Sequence, residues 1–189
     1  STNQSVQETF TSSGTTGALV SKHLVTDTSW YEASYTKAFE HFYGPIKDYT
    51  VLGLLPNYLE REGSSLIYMV NDFIQKSNKP KSGFYLDNLS ELSITLEVLD
   101  QQGEKVLLIG VTFALLALIE SQSFTLKNTV IMETGGMKGR RKEMIREELH
   151  EILAAGFGVS KIHSEYGMTE LLSQGYSNGD GIFDCPPWM

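Results

Sequence analysis

The chain has 189 residues with 41% hydrophobic and 20% charged side chains, and its formal net charge is −8 at pH 7. These values suit one globular domain or one large part of a bigger fold. An acidic chain without a basic cluster is not expected to bind nucleic acid. The longest apolar run, residues 106–119, is too short to span a bilayer.

Cysteine usage and the first residues indicate the cellular setting. Cys185 is the only cysteine, so an internal disulfide is impossible, as is usual in a reducing compartment. The first residues are polar and carry no signal-peptide pattern, which predicts a cytoplasmic protein. Cys185 itself is expected to be buried or structural, because no nearby histidine suggests a nucleophilic pair.

The first unusual segment is "TSSGTTG", a row of small residues that bury almost no apolar area. Its members are Thr11, Ser12, Ser13, Gly14, Thr15, Thr16 and Gly17. Such a row is either a plain surface loop or a loop whose N–H and hydroxyl groups hold phosphate. Lys22 could add positive charge there, or it could be a solvated surface lysine.

Apolar periodicity predicts an alternation of helices and buried strands. Helices are expected at 27–43, 64–77, 89–104, 112–122 and 137–156. Strands are expected at 49–56, 105–110, 128–136 and 159–167. In the last helix, Ile145, Leu149 and Ile152 form the predicted inner stripe, and Gly156 is expected to end it. The alternation predicts an α/β fold with a mainly parallel sheet flanked by helices.

Two further segments carry residues suited to ligand binding. In "ETGGMKG", residues 133–139, two glycines between a strand and a helix would let a flat ring approach the backbone, or would form a tight turn. In "SEYGMTE", residues 164–170, Tyr166 can stack on a base, Thr169 can bond a phosphate and Glu170 can hold Mg²⁺. The alternative for this second segment is a loop with an exposed glutamate.

Other kinds of site are disfavoured by spacing. The four histidines show no paired metal-binding spacing, and Ser12 and Ser13 lie outside any G-x-S-x-G turn. The segment "GFGVSK", from Gly156, lacks the third glycine of a dinucleotide motif and follows a helix, so it is interpreted as a helix C-cap.

The order "TSSGTTG", "ETGGMKG", "EYGMTE" resembles the adenylate-forming superfamily of acyl-CoA synthetases, luciferases and adenylation domains. The first stretch is similar to its phosphate-binding signature and the third to its Y-G-x-T-E signature. The longer stretches "METGGMKGRRKEMIREELHEIL" and "EYGMTELLSQGY" resemble the acyl-protein synthetase family, which includes the fatty-acid–luciferin-component ligase and is akin to phenylacetate-CoA ligases.

The resemblance implies a role for each motif. Residues 11–17 would embrace the β- and γ-phosphates of ATP, with Lys22 adding charge, and Thr15 and Glu170 would bind Mg²⁺. Gly135, Gly136 and Met137 would line the adenine and acyl pocket. Tyr166 would pack on adenine, and Gly167 and Met168 would belong to the same binding turn. Thr169 would contact the α-phosphate and act with Glu170 in catalysis.

The implied activity is ATP-dependent activation of a carboxylic acid, fatty or other acyl, through an acyl-adenylate. The acyl group would then pass to CoA, a protein thiol or an amine. The family's ribose-binding Asp and its small domain with a catalytic Lys would lie past Met189. Residues 1–189 are therefore interpreted as a single α/β adenylation subdomain, part of the large N-terminal domain of such an enzyme and a weak catalyst alone.

Three alternatives remain open at this point. The first is the acyl-activating ligase, and the second is a truncated, non-catalytic nucleotide- or acyl-binding domain. The third is an α/β scaffold that binds nothing. A cut fold would also expose apolar surface that could pair two chains in a homo-oligomer. Cys185 lies too close to the Y-G-x-T-E motif to take the role of the family's acyl-accepting cysteine.

Overall fold

The computed structural model of the chain describes residues 5–12, 21–55, 63–85, 88–135 and 144–189. The strands are β1 (Glu8–Thr11), β2 (Lys22–Val25), β3 (Tyr49–Leu54), β4 (Gly83–Phe84), β5 (Lys105–Val111), β6 (Thr129–Thr134), β7 (His163–Gly167), β8 (Gln174–Ser177) and β9 (Phe183–Asp184). The helices are α1 (Ser29–Tyr43), α2 (Ser65–Ser77), α3 (Leu89–Gln101), α4 (Thr112–Ser121) and α5 (Arg146–Phe157), with a short 3-10 turn at Ile46–Asp48.

Seven strands form one sheet in the order β4-β3-β5-β6-β7-β8-β9. The first five are parallel, and β8 and β9 continue the sheet in antiparallel pairing. β1 and β2 pair separately as an antiparallel hairpin. The predicted α/β class with a mainly parallel sheet is confirmed, whereas the hairpin and β8 were not predicted.

The centre of the sheet is apolar on both faces, as expected where helices cover both sides of a parallel sheet. Val106 through Val111 are buried along β5, and α4 follows directly. The predicted buried strand at 105–110 and the predicted helix from residue 112 are therefore confirmed. Leu115 and Leu116 are 0% and 3% exposed, so they belong to the core. Burial of one such side chain contributes about 1.5–3 kcal/mol to stability.

One face of α1 carries a row of aromatic rings, Tyr31, Tyr35, Phe39 and Tyr43, at intervals of four residues. This interval places them on the same side of a helix. Tyr31 and Tyr35 meet edge to face with centroids 4.7 Å apart, and Phe39 stacks on Tyr43 at 5.0 Å. Tyr176 of β8 contacts Phe39 and Tyr43. The row joins α1 to the antiparallel end of the sheet.

The last helix differs from its predicted form. α5 begins at Arg146, and its inner face is formed by Leu149, Leu153 and Phe157. Ile145 and Ile152 are 67% and 40% exposed, so two members of the predicted stripe were assigned wrongly. The residues 137–143 of the predicted helix lie outside the described part of the chain.

Gly156 was expected to end α5, but it lies inside the helix. A Cβ at this position would be 2.6 Å from the Cβ of Ile119, so glycine lets α4 and α5 approach closely. The C-cap is instead Gly158, whose φ of 65° suits glycine. None of the described helices has the length and apolar character needed to cross a membrane.

Candidate functional site

The ends of β6 and β7 lie side by side at the carboxyl edge of the parallel strands. Thr134 pairs in register with Glu165, so Gly135 follows β6 where Tyr166 continues β7. The Thr112 hydroxyl donates a hydrogen bond of 2.6 Å to the carbonyl oxygen of Gly135. Ligands of α/β proteins commonly bind outside this edge of the sheet. Two of the three sequence motifs therefore meet at a typical binding position.

The segment after β7 presents polar and aromatic side chains to solvent. Tyr166 is 47% exposed, and its ring meets the ring of Phe183 edge-on at 5.9 Å. Met168 accepts a backbone hydrogen bond of 3.0 Å from the N–H of Leu171, which closes a turn around Thr169 and Glu170. Thr169 is half-buried and Glu170 is exposed. One face of an aromatic ring, a hydroxyl and a carboxylate are thus carried on one short stretch.

The hairpin brings Thr11 and Ser12, the first two residues of the hydroxyl-rich segment, to the same place. Thr11 pairs with the exposed Lys22 at its end. The N–H of Ser12 donates to the carbonyl oxygen of Ser21 at 3.0 Å, and the N–H of Ser21 donates to Ser12 Oγ at 3.0 Å. Ser21 Oγ then donates to Glu170 Oε1 at 3.0 Å. Ser21 thus links Ser12, in the first motif, to Glu170, in the third, which lies 149 residues after Ser21.

Several predicted site residues lie outside the described part of the chain, namely Ser13, Gly14, Thr15, Thr16, Gly17, Gly136 and Met137. Within the described ranges, no group of three or more His, Cys, Asp or Glu side chains is arranged to hold a metal ion. Binding of Mg²⁺ by Glu170 and Thr15 therefore remains a prediction. Ser21 was not predicted as a site residue, although it is a hydroxyl directly before the predicted Lys22.

A buried carboxyl lies one residue before the exposed tyrosine. Glu165 is 7% exposed, and its Oε2 accepts a hydrogen bond of 2.6 Å from the Thr134 hydroxyl. Burial raises the pKa of Glu165 to about 7; the Thr134 hydrogen bond lowers it, and the nearby charge of Glu133 raises it. Sequence reasoning missed this residue. The available signal was an acidic residue inside a short strand predicted to be buried.

The opposite face of β7 holds a second polar group. Ser164 Oγ lies 3.4 Å from His150 Nε2, and Glu133 Oε1 lies 3.6 Å from the same nitrogen. Arg146 Nε is 3.8 Å from Glu133 Oε1. A nucleophilic triad needs the acid and the serine on different imidazole nitrogens. Because both face Nε2 and Ser164 is 1% exposed, these residues attach α5 to the sheet.

Cys185 was expected to be buried or structural; it is exposed, so the first of these alternatives is wrong. It follows β9, the two-residue strand at the edge of the sheet, which leaves its side chain uncovered. No protein-family model and no curated protein sequence matches this chain.

Proposed function

We propose that the chain activates a carboxylic acid with ATP, forming an acyl-adenylate whose acyl group passes to a thiol of CoA or of a protein cysteine. The single observation that supports this most is the hydrogen bond from Ser21 Oγ to Glu170 Oε1. Ser21 also bonds Ser12, so the start of the hydroxyl-rich segment lies beside the Y-G-x-T-E-like segment at the end of β7. An adenylate-forming site requires this combination of phosphate-binding loop and acidic residue in one place.

The exposed groups suit the parts of ATP that they would meet. The half-exposed ring of Tyr166 offers a surface on which adenine can stack. Gly135 has a φ of 70°, which favours glycine, and its lack of a side chain would let a flat ring approach its backbone. The hydroxyls of Thr11 and Ser12 lie at the start of the segment proposed to bind the phosphates.

Mg²⁺ fits the donors at this position. Glu170 is exposed and lies beside the Ser21 hydroxyl, so the groups present are oxygens, which Mg²⁺ prefers. Glu170 and Thr15 would hold the ion, and the ion would supply charge neutralisation on the phosphates. Mg²⁺ typically keeps several waters and is coordinated by phosphate oxygens of the substrate, so few protein ligands are needed.

In the proposed reaction, a substrate carboxylate oxygen attacks the α-phosphorus of ATP. A carboxylate–phosphorus bond forms while the bond from the α-phosphorus to its bridging oxygen breaks, and pyrophosphate leaves. The acceptor thiolate then attacks the acyl carbonyl carbon and AMP leaves. The chain's contribution is positioning and charge stabilisation, with Thr169 next to the α-phosphate.

Calorimetric titration with ATP and Mg²⁺ tests the nucleotide site. Glu170→Gln and Ser21→Ala should each weaken binding, Glu170→Gln by about tenfold or more, because loss of a charge-assisted contact costs about 1.5–3 kcal/mol. Glu40→Gln, an exposed glutamate on α1, is the matched control and should bind as the wild type does. Equal affinity in all four proteins would contradict the proposal.

Exchange of labelled pyrophosphate into ATP, measured with a panel of carboxylic acids, tests the chemistry. Acid-dependent exchange that is lost when Thr15 and Thr16 are both replaced by Val supports acid activation. Binding of ATP without exchange for any acid would favour the second candidate, a nucleotide-binding domain without chemistry.

A further inference from the structure

The face of β7 that looks toward α1 holds a set of buried polar side chains beneath the proposed nucleotide site. Glu165 lies directly opposite Tyr176 of β8, and Gly167 lies opposite Gln174. Gln174 Nε2 donates a hydrogen bond of 3.1 Å to the Tyr31 hydroxyl, which donates to the carbonyl oxygen of Ser65. Glu165 therefore belongs to a polar group enclosed between the sheet and α1.

The carboxyl group of Glu165 lies close to the backbone of Gly167, at the end of its own strand. A Cβ at Gly167 would be 3.0 Å from Glu165 Oε1 and 3.2 Å from Gln174 Nε2. Both side chains therefore lie against the backbone at the end of β7, where only glycine leaves them room. This backbone leads directly into Met168, Thr169 and Glu170.

The same carboxyl contacts the end of β6. Thr134 Oγ1 donates to Glu165 Oε2 at 2.6 Å, and Thr134 immediately precedes Gly135. Gly135 is fixed from its other side by the Thr112 hydroxyl at 2.6 Å. One oxygen of Glu165 thus meets the end of β6 and the other meets the end of β7, the two places from which Gly135 and Tyr166 project.

Building on the proposed nucleotide site, we infer that Glu165 is a positioning residue whose protonated carboxyl holds the ends of β6 and β7 together, and whose ionisation loosens them and weakens nucleotide binding. An anion at this position has a hydroxyl donor in Thr134, and it is buried at 7% exposure. Burying a charge without a compensating cation or several donors is costly, so the neutral acid fits the closed arrangement better.

The titratable groups around Glu165 do not compensate its charge. Glu133 on β6 carries a like charge, while Tyr31 on α1 and Tyr176 on β8 also interact with it electrostatically. Burial raises the pKa of both tyrosines, so they stay neutral near pH 7. Burial lowers the pKa of His163, on the same face of β7, to about 4, so it is neutral as well.

The test begins with amide NMR spectra of the chain between pH 5.5 and 8.5, without nucleotide. The amides of Gly135, Tyr166 and Gly167 should shift with one common midpoint near neutrality, and this titration should vanish in Glu165→Gln. Glu40→Gln should leave it intact. Amides that do not titrate, or that titrate equally in Glu165→Gln, would overturn the inference.

Thr134→Val provides a second variant in case Glu165→Gln does not fold. Because the Thr134 hydrogen bond lowers the pKa of Glu165, its removal should move the common midpoint to higher pH. A midpoint that does not move would count against the inference, since the amides would then report another group.

ATP–Mg²⁺ affinity across the same pH range separates this inference from the proposed function. The wild type should lose affinity several-fold between pH 6 and 8, whereas Glu165→Gln should keep its pH 6 affinity at pH 8. The titration of ATP itself is common to both proteins and cancels in their ratio. An identical pH dependence in both would overturn the positioning role. No ATP binding at any pH, with the amide titration present, would refute the nucleotide site but support the link between the strand ends.

Discussion

Asp100 and Glu165 are two buried carboxyls that contact opposite ends of β6, with exposures of 8% and 7%. Asp100, at the end of α3, accepts hydrogen bonds from the N–H groups of Lys127 and Asn128 at 3.0 and 2.7 Å, and from the Thr129 hydroxyl at 3.1 Å. Glu165 accepts a hydrogen bond of 2.6 Å from the Thr134 hydroxyl. It lies beside side chains that can both donate and accept hydrogen bonds. Equal burial therefore conceals different surroundings.

The donors decide what each carboxyl can do. A peptide N–H can only donate, so the group around Asp100 requires an acceptor with the full capacity of a carboxylate. Hydroxyl and amide groups can reorganise around either protonation state. Asp100 thus fastens the start of β6 to α3 in one arrangement. Glu165, at the other end of β6, has the surroundings of a group that can change its charge.

The same change of carboxyl to amide should therefore have unequal effects at the two positions. Asp100→Asn turns an N–H₂ group toward N–H donors and should lower the free energy of unfolding by about 2–4 kcal/mol. Glu165→Gln should not lower it at pH 7, because an amide can both donate and accept there and carries no charge that must be buried. Urea unfolding at pH 7 measures both, with Glu40→Gln at an exposed position of α1 as control. Equal losses of unfolding free energy would show that the two carboxyls have equivalent surroundings.

The pH dependence of stability should separate Glu165 from its strand neighbour His163. The pKa of Glu165 is raised from an ordinary 4.5 to about 7, so its contribution to stability is present below pH 4.5 and lost as pH rises to 7. The pKa of His163 is lowered from 6.5 to about 4, so its contribution is present above pH 6.5 and lost as pH falls to 4. Between pH 4.5 and 6.5 the two oppose each other.

Single variants should reveal these opposed changes of the free energy of unfolding with pH, each at most about 1.4 kcal/mol per pH unit. Relative to the wild type, Glu165→Gln should gain stability as pH rises through 4.5–7, and His163→Gln should lose it as pH rises through 4–6.5. Urea midpoints at half-unit pH steps measure both, and other titrating groups cancel in the differences. Differences that stay constant with pH would show that neither side chain titrates as described.

Gly167→Ala tests how closely Glu165 and Gln174 pack against the end of β7. The new Cβ would press on Glu165 Oε1 and Gln174 Nε2, so the free energy of unfolding should fall by about 1–2 kcal/mol. Gly83→Ala on the edge strand β4 is the matched control, since nothing lies within 4 Å of its added Cβ. In a Glu165→Ala background the cost at Gly167 should shrink. If the loss in free energy of unfolding is not reduced, the added Cβ clashes with a group other than Glu165.

Cys185→Ser should have the smallest effect, a change in stability within about 0.5 kcal/mol, because the side chain is exposed on an edge segment. The native wild type should also react with a thiol reagent without denaturant. A thiol that reacts only after unfolding would contradict the exposure.

The sequence predicted best those elements in which one physical pattern dominates. β3 and β5 are largely apolar and buried, and the helix predicted at 64–77 matches α2 with its N-cap Ser64. β8, "QGYS", is fully buried although it is polar, because α1 covers it from a distance in sequence. Short polar strands such as β1 and β2 have no alternation that could be detected.

The candidate site shows the same division. The motifs pointed to Ser12 and Glu170, whose segments the structure joins through Ser21. Neither Ser21 nor Glu165 was predicted, since the importance of each comes from a partner far away in the chain. Such partners are set by the pairing of strands and by the hairpin, which local patterns do not specify.

The aromatic row of α1 also determines what optical probes of this protein measure. Tyr31, Tyr35 and Phe39 of this row are buried, whereas Trp30 and Trp188 are 75% and 48% exposed. Trp188 donates its indole N–H to Ser34 Oγ at 3.1 Å, on α1 beside Trp30. Tyrosine circular dichroism in the near ultraviolet will therefore follow the interior. Tryptophan emission will follow the outer side of α1 and the segment resting on it, so the two signals together separate local detachment from global unfolding.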